Sequence, residues 1–248
     1  MESLTTTELA VLLAFVAFAA LLYSSVGHGG ASGYLAAMTL LGVAPVFMKP
    51  AALAMNIAVA GMVFYRLWRA GYFDARLFWP FALSSIPLAF VGGALTLPGG
   101  IYKILVAVAL LVAATRLLWK SQDHEASSTP NIWVALASGA SLGFLSGLTG
   151  VGGGIFLSPL LLLLRWANMR TTAALSAAFI LVNSIAGLAG HASAAISWPA
   201  QLPLLMLAAL AGAAVGSELA VRRLAPITLR RVLGVVLVIA GAKMLFTA

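Results

Sequence analysis

Two glycine-rich segments are the places where this chain could do chemistry: Gly27-His28-Gly29-Gly30 and Gly150-Val151-Gly152-Gly153-Gly154. Each glycine costs about 1 kcal/mol against alanine inside a helix, so a cluster of them between apolar runs breaks the helix. After Gly154 about ten mainly apolar residues precede Arg165. That is a rise of about 15 Å, half the thickness of a bilayer's hydrocarbon core, and it predicts a half-helix. Irregular backbone at membrane depth is tolerated where it is buried in protein or lines a polar cavity. A half-helix starting there turns its free N–H groups and positive dipole end into that cavity. The chemistry is then anion binding by backbone N–H groups. The competing reading is that the glycines only allow helices to pack closely, which is the preferred reading for Gly212 and Gly216, four residues apart.

The polar groups available to such a cradle are Ser24, Ser25, His28, Ser32, Asn56, Ser146, Thr149, Ser158, Ser176 and Asn183. The expected substrate-binding set is Gly27, His28, Gly29, Gly30, Ser25, Asn56, Thr149, Gly150, Gly152, Gly153, Gly154 and Asn183. His28 is the candidate for proton coupling, since imidazole changes charge near neutral pH. It could equally be a neutral, hydrogen-bonded histidine, and the two asparagines could either bind substrate or bridge helices. No catalytic residue and no metal site is expected. Apart from Glu218, which reads as an ion pair with Arg222 one turn away, no Asp, Glu, Lys or Arg falls well inside an apolar run. Cation pumps usually need a buried carboxylate, whereas an anion can be held without a buried cation. An intramembrane hydrolase would need Ser146 and His191 as its pair, but Gly143-Phe144-Leu145-Ser146-Gly147 lacks the usual one-residue spacing from glycine to serine. A passive anion channel would use the same cradle. No nucleotide-binding loop and no cofactor site are legible.

The elements that must position these groups follow from composition. Hydrophobic residues make up 62% of the 248 and charged residues 8%, too few to clothe a water-soluble body. At roughly 20 residues per crossing, about ten segments fit. Apolar runs occupy about 9–26, 30–48, 50–65, 77–97, 101–119, 131–149, 154–164, 171–190, 200–220 and 232–248. The net charge of +8 lies at the ends of these runs, as topology determinants do, and gives no nucleic-acid surface. Met1 to Glu8 is acidic and polar rather than basic, so the first span is expected to stay in the protein. Cysteine is absent, which removes thiolate and Cys-metal chemistry.

Residues 121–131 form a polar linker between a first module, 1–120, and a second, 132–248. The modules resemble one another at an offset of about 122 residues. Each has a glycine cluster, then Lys49 or Arg170, then Ala51-Ala52-Leu53 or Ala173-Ala174-Leu175, then Asn56 or Asn183, then Trp79-Pro80 or Trp198-Pro199. The positive-inside rule puts Arg66, Arg69 and Arg76 in one cytoplasmic loop and Arg222, Arg223, Arg230 and Arg231 in another, with Lys49 outside. Five crossings per module would make the second inverted relative to the first. The fold class is thus an all-α polytopic membrane protein with about 8–10 transmembrane segments in two repeated, inverted halves, its helices broken or short at the glycine motifs. Trp68, Trp79, Trp119, Trp133, Trp166 and Trp198 read as interfacial anchors, and His124 belongs to the linker.

Gly27-His28-Gly29-Gly30-Ala31-Ser32-Gly33, and more specifically Gly150-Val151-Gly152-Gly153-Gly154 with Pro159 following, resemble the paired signatures of the sulfite exporter TauE/SafE family. The resemblance covers essentially the whole chain. It departs at His28, where a small apolar residue is expected, and at Ala31, where the second module has Gly154. The resemblance implies a multi-pass permease of the bacterial inner membrane that moves small anions such as sulfite, sulfoacetate or other sulfonates. Its partners would be the small anionic substrate and membrane lipid, with no nucleic acid, and a homo-oligomer is left open. Proton coupling is an expectation of that transport class.

Overall fold

The computed structural model describes residues 5–118, 128, 130–192, 198–222 and 227–246. The described residues form ten α-helices and no strands. In order they are α1 (Thr6–Ser24), α2 (Ala31–Leu40), α3 (Pro45–Arg69), α4 (Ala75–Ala94) and α5 (Gly99–Leu118), then α6 (Ile132–Thr149), α7 (Gly154–Leu163), α8 (Met169–Ala192), α9 (Leu202–Arg222) and α10 (Ile227–Phe246). Helix lengths run 19, 10, 25, 20 and 20 residues in the first five and 18, 10, 24, 21 and 20 in the second five. Among the described residues, α1, α3, α4, α6, α8 and most of α9 are long and apolar enough to cross a membrane. Large apolar side chains such as Leu83, Leu207 and Val235 face outward, as a lipid solvent requires. Residues 119–127, including Trp119 and His124, lie outside the described residues, as does Arg223.

Local signals set several boundaries. Thr5 and Glu8 form a capping box at the start of α1, and Asp74 and Asn131 accept backbone N–H groups at the starts of α4 and α6. The two ten-residue helices open on Gly30 (φ 107°) and Gly153 (φ 77°), left-handed positions that favour glycine. The one clear departure from the apolar runs is α3. The run expected over 30–48 is cut at Leu41–Ala44, and α3 passes straight through Lys49 and Pro50.

Small residues fix how the long helices meet. A Cβ on Gly212 would strike Ala17 O and one on Gly216 would strike Leu21 O, so α1 and α9 lie against each other and run parallel. Gly139, Gly143 and Gly147 press in the same way on Phe81, Ser85 and Ala89, making α6 a parallel neighbour of α4. The packing reading of Gly212 and Gly216 therefore holds. At the centre α3 and α8 cross in opposite directions, with Leu53 on Gly187 and Leu181 on Gly61. Helices of the first five pack mainly on helices of the second five: α1 with α9, α4 with α6 and α8, and α5 with α10.

One expectation is corrected. Lys49 is buried inside α3 rather than lying in an outer loop, and its Nζ donates to Gly92 O, Gly93 O and Leu95 O at 3.3, 2.9 and 3.3 Å. A cation there offsets the negative end of α4. Glu218 also meets Arg66 of α3 at 3.4 Å, across 152 positions, while its expected pairing with Arg222 falls on a side chain outside the described residues. Trp68, Trp79, Trp133 and Trp198 are exposed, and the partly buried Trp166 packs its ring on Phe81 at 6.2 Å, against the apolar cluster of α4, α6, α7 and α8.

Candidate functional site

Both half-helices begin at depth. After α6 the chain turns back on itself, so that Gly153 faces Leu142 O and Ser146, each 3.3 Å from where its Cβ would sit. Leu142 lies seven residues before the end of α6, about 10 Å along its axis. After α1 the same happens, with Gly33 of α2 set against Ala19 and Tyr23. The first-turn N–H groups of a helix have no intrahelical acceptor, so α2 and α7 each present such donors inside the protein.

The two clusters meet at Asn56 of α3 and Ile180 of α8. A Cβ on Gly29 would strike Asn56 Oδ1, and one on Gly152 would lie 2.7 Å from Asn56 Nδ2. The same two positions lie 3.1 and 2.8 Å from Ile180 Cγ2, and Gly154 also abuts Ile180. The Asn56 carboxamide is therefore clasped between the unwound segments, donating to Val151 O at 3.3 Å. Its Oδ1 is buried with no hydrogen-bond partner. Buried polar atoms are rarely left unpaired, because each costs about 1–3 kcal/mol.

His28 takes part in a second contact between the clusters. Its Nε2 lies 2.9 Å from Ser158 Oγ of α7, and Ser158 Oγ lies 2.7 Å from Ser176 Oγ of α8. The ring's Nδ1 is 3.0 Å from Val26 O. In the first cluster Tyr34 donates to Gly29 O at 2.6 Å and Ser32 donates to Tyr23 Oη at 2.6 Å, which holds the unwound backbone in place. The site is closed: Asn56, Ser176 and Asn183 are fully buried and His28 is 8% exposed.

Of the expected site residues, the structure brings together Gly29, Asn56, Gly152 and Gly154, with His28 and the left-handed caps Gly30 and Gly153 alongside. Gly27 and Gly150 form the rims, resting on Ala173 and on Lys49 respectively. Ser25 donates to Leu22 O and Thr149 to Leu145 O, each at 2.7 Å, so their hydrogens are engaged on their own helices. Asn183 lies one turn beyond Phe179 and donates to its carbonyl at 2.8 Å, with Oδ1 unpartnered. Ser158, Ser176, Lys49 and Ile180 were not in the expected set. The first two could have been suspected only as hydroxyls on membrane helices, since their partner His28 is 130 positions from Ser158. Ser146 Oγ has no hydrogen-bond partner, so it makes no pair with His191. The serine that does meet an imidazole, Ser158, has a backbone carbonyl behind the ring instead of the carboxylate of a hydrolase triad. Among the described residues no His, Cys, Asp and Glu cluster could hold a metal ion.

The protein-family model described as sulfite exporter TauE/SafE matches residues 12–244. The chain is similar to "Probable membrane transporter protein y4hK" of Sinorhizobium fredii, with 37% identity over 232 residues, covering 92% of this chain and 94% of that protein. No solved structure gives a significant match.

Proposed function

Because the chain belongs to the sulfite exporter TauE/SafE family, we propose that it is a secondary exporter of small oxyanions such as sulfite or organosulfonates, bound where α2 and α7 begin. That it is a multi-pass membrane transporter and not an enzyme follows from the family and the relative's name, and agrees with a bacterial inner-membrane location. The substrate, the direction and proton coupling are the proposal.

One observation carries the reading: two ten-residue half-helices open on left-handed glycines beside a buried asparagine that both glycine clusters touch. Each helix start contributes about half a positive charge and several free donors, and in a water-excluded site these favour an anion. Asn56 adds a donor from Nδ2, while its orphan Oδ1 suits an oxyanion that carries a proton or a hydroxyl. Gly27, Gly150, Ser25 and Thr149 shape the rims, and Asn183 would complete the polar wall. A two-module organisation, each module giving one half-helix, supports a site at the meeting of the halves, the usual place in transporters of repeated design. Complete burial of the site supports alternating access over an open channel, since an anion could reach it only after the helices part.

The test is uptake of radiolabelled sulfite and isethionate into proteoliposomes, with and without an imposed proton gradient. Accumulation above equilibrium, lost in Gly153→Leu, is the expected result. Equilibration without accumulation would point to a channel. Uptake unaffected by Gly153→Leu would remove the cradle from the account.

A further inference from the structure

Lys49 is a buried cation in the wall of the site, and its charge exceeds what its hydrogen bonds require. Its Nζ donates to the carbonyls of Gly92, Gly93 and Leu95, groups that a neutral donor could satisfy. The end of α4 carries about half a negative charge, which leaves about half of the ammonium's charge unbalanced. Among the described residues no carboxylate makes up the difference. Glu8 is held on Thr5 at the start of α1, Asp74 caps the far end of α4, and Glu218 meets Arg66 near the other end of α3. An ionisable side chain inside a membrane protein without an opposite charge marks a place where a charged ligand binds or passes.

The position of the ammonium identifies the ligand class. Lys49 and Asn56 are seven residues apart on α3, two turns along one face and about 10 Å in rise. The link between α6 and α7 lies along that same face. A Cβ on Gly150 would rest 3.4 Å from Lys49 Cα and Cγ, and one on Gly152 would meet Asn56 Nδ2 at 2.7 Å. Beyond Asn56, α3 runs on to Arg66 and Arg69, which the positive-inside rule places in the cytoplasm, so Lys49 is on the outer side of the site. His191 of α8, whose ring also reaches the Gly93 carbonyl, leaves its Nδ1 buried with no hydrogen-bond partner beside this charge. A polar ligand on Lys49 would gain a second contact there.

We propose that Lys49 is an outer waypoint for the transported anion: when the outer side opens, its ammonium exchanges the α4 carbonyls for the oxyanion and passes it between the Asn56 cradle and the exterior. This deepens the anion-site reading above and rests on it. The exchange has a driving force only when an anion is present, because carbonyl oxygens carry partial charges and an oxyanion a full one. Without an anion the ammonium returns to the end of α4 and closes the wall against Gly150. Opening on the outer side is thereby tied to loading.

The experiment measures exchange of radiolabelled sulfite and isethionate in proteoliposomes of one orientation, with unlabelled anion varied outside or inside. Lys49→Gln keeps donors for the α4 carbonyls and removes the charge, so it should melt close to wild type in detergent. Loss of a charge-assisted contact should raise its half-saturating outer concentration roughly 10- to 150-fold, with much less change inside. In alkaline buffer the loss should be larger for sulfite, a dianion there, than for the monoanion isethionate, a dependence that a purely structural cap would not produce. Lys49→Arg, which keeps the charge, should restore most of the outer affinity. A second measurement uses the wild type. An aldehyde-bearing sulfonate added outside with borohydride should attach to Lys49: Nζ adds to the carbonyl carbon, water leaves, and hydride reduces the imine. Saturating isethionate should suppress that labelling. Outer affinity equal to wild type in Lys49→Gln, or labelling confined to other lysines, overturns the waypoint while leaving the anion site standing. Absence of anion flux in wild type, or flux unaffected by Gly153→Leu, overturns the site and the waypoint together.

Discussion

Gly152→Ala separates backbone strain from loss of the site, provided it is compared with Gly71→Ala. Both glycines are left-handed, with φ of +87° and +78°, so an alanine at either costs about 1–2 kcal/mol in strain. Their surroundings differ. Nothing lies within 4 Å of a Cβ on Gly71, in the turn between α3 and α4, whereas a Cβ on Gly152 would sit 2.7 Å from Asn56 Nδ2 and 2.8 Å from Ile180 Cγ2. Ordinary contact begins near 3.4 Å, so the Asn56 amide would have to withdraw by most of an ångström. Its bond to Val151 O is already 3.3 Å long and would be lost. Overpacking of this kind costs about a further 1–3 kcal/mol. If that cost falls on the anion-competent arrangement, affinity drops roughly 5- to 150-fold, at 1.4 kcal/mol per decade. The assay is anion uptake in proteoliposomes alongside thermal unfolding in detergent. Both variants should lose the same stability from strain, Gly152→Ala should lose about 1–3 kcal/mol more from overpacking, and only Gly152→Ala should lose affinity. Equal transport in the two variants, with equal loss of stability, would refute the placement of the site at Asn56.

Three further outcomes follow from the packing. Gly216→Leu drives a side chain into the α1 backbone at Leu21, so it should lower thermal stability by a few kcal/mol, the usual scale of overpacking or more, as read by melting in detergent. Lys49→Met strands the carbonyls of Gly92, Gly93 and Leu95 at the end of α4 and should cost about 1–3 kcal/mol of stability, with Lys49→Arg costing less. Glu218→Gln should change stability by less than about 1 kcal/mol, because its 3.4 Å contact with Arg66 is between partly exposed side chains.

How far the sequence could be read depended on how local each cause was. The half-helix α7 was legible because glycines and a ten-residue apolar run are neighbours in the chain, and glycine's cost in a helix does not depend on what surrounds it. Asn56 was legible as a polar residue inside an apolar span. The course of α3 was not. Lys49-Pro50 reads as a loop, but Pro50 falls in the second turn of α3, and Lys49 finds its acceptors on α4, more than 40 positions away. The contact of Glu218 with Arg66 was illegible for the same reason, since the two lie 152 positions apart. Ser158 and Ser176 gain meaning only from the folding of α7 and α8 around His28, which no spacing rule announces.

In the proposed mechanism a small oxyanion sits between the starts of α2 and α7, against Asn56. The most direct test is anomalous diffraction from crystals of the full chain grown with selenite or a bromine-bearing sulfonate, according to which substrate class the flux assay selects. An anomalous peak is expected within hydrogen-bond distance of the Gly29–Ala31 or Gly152–Gly154 backbone and beside Asn56, absent from crystals grown without the probe. A peak elsewhere in the protein, with that space filled by packed side chains, would contradict it.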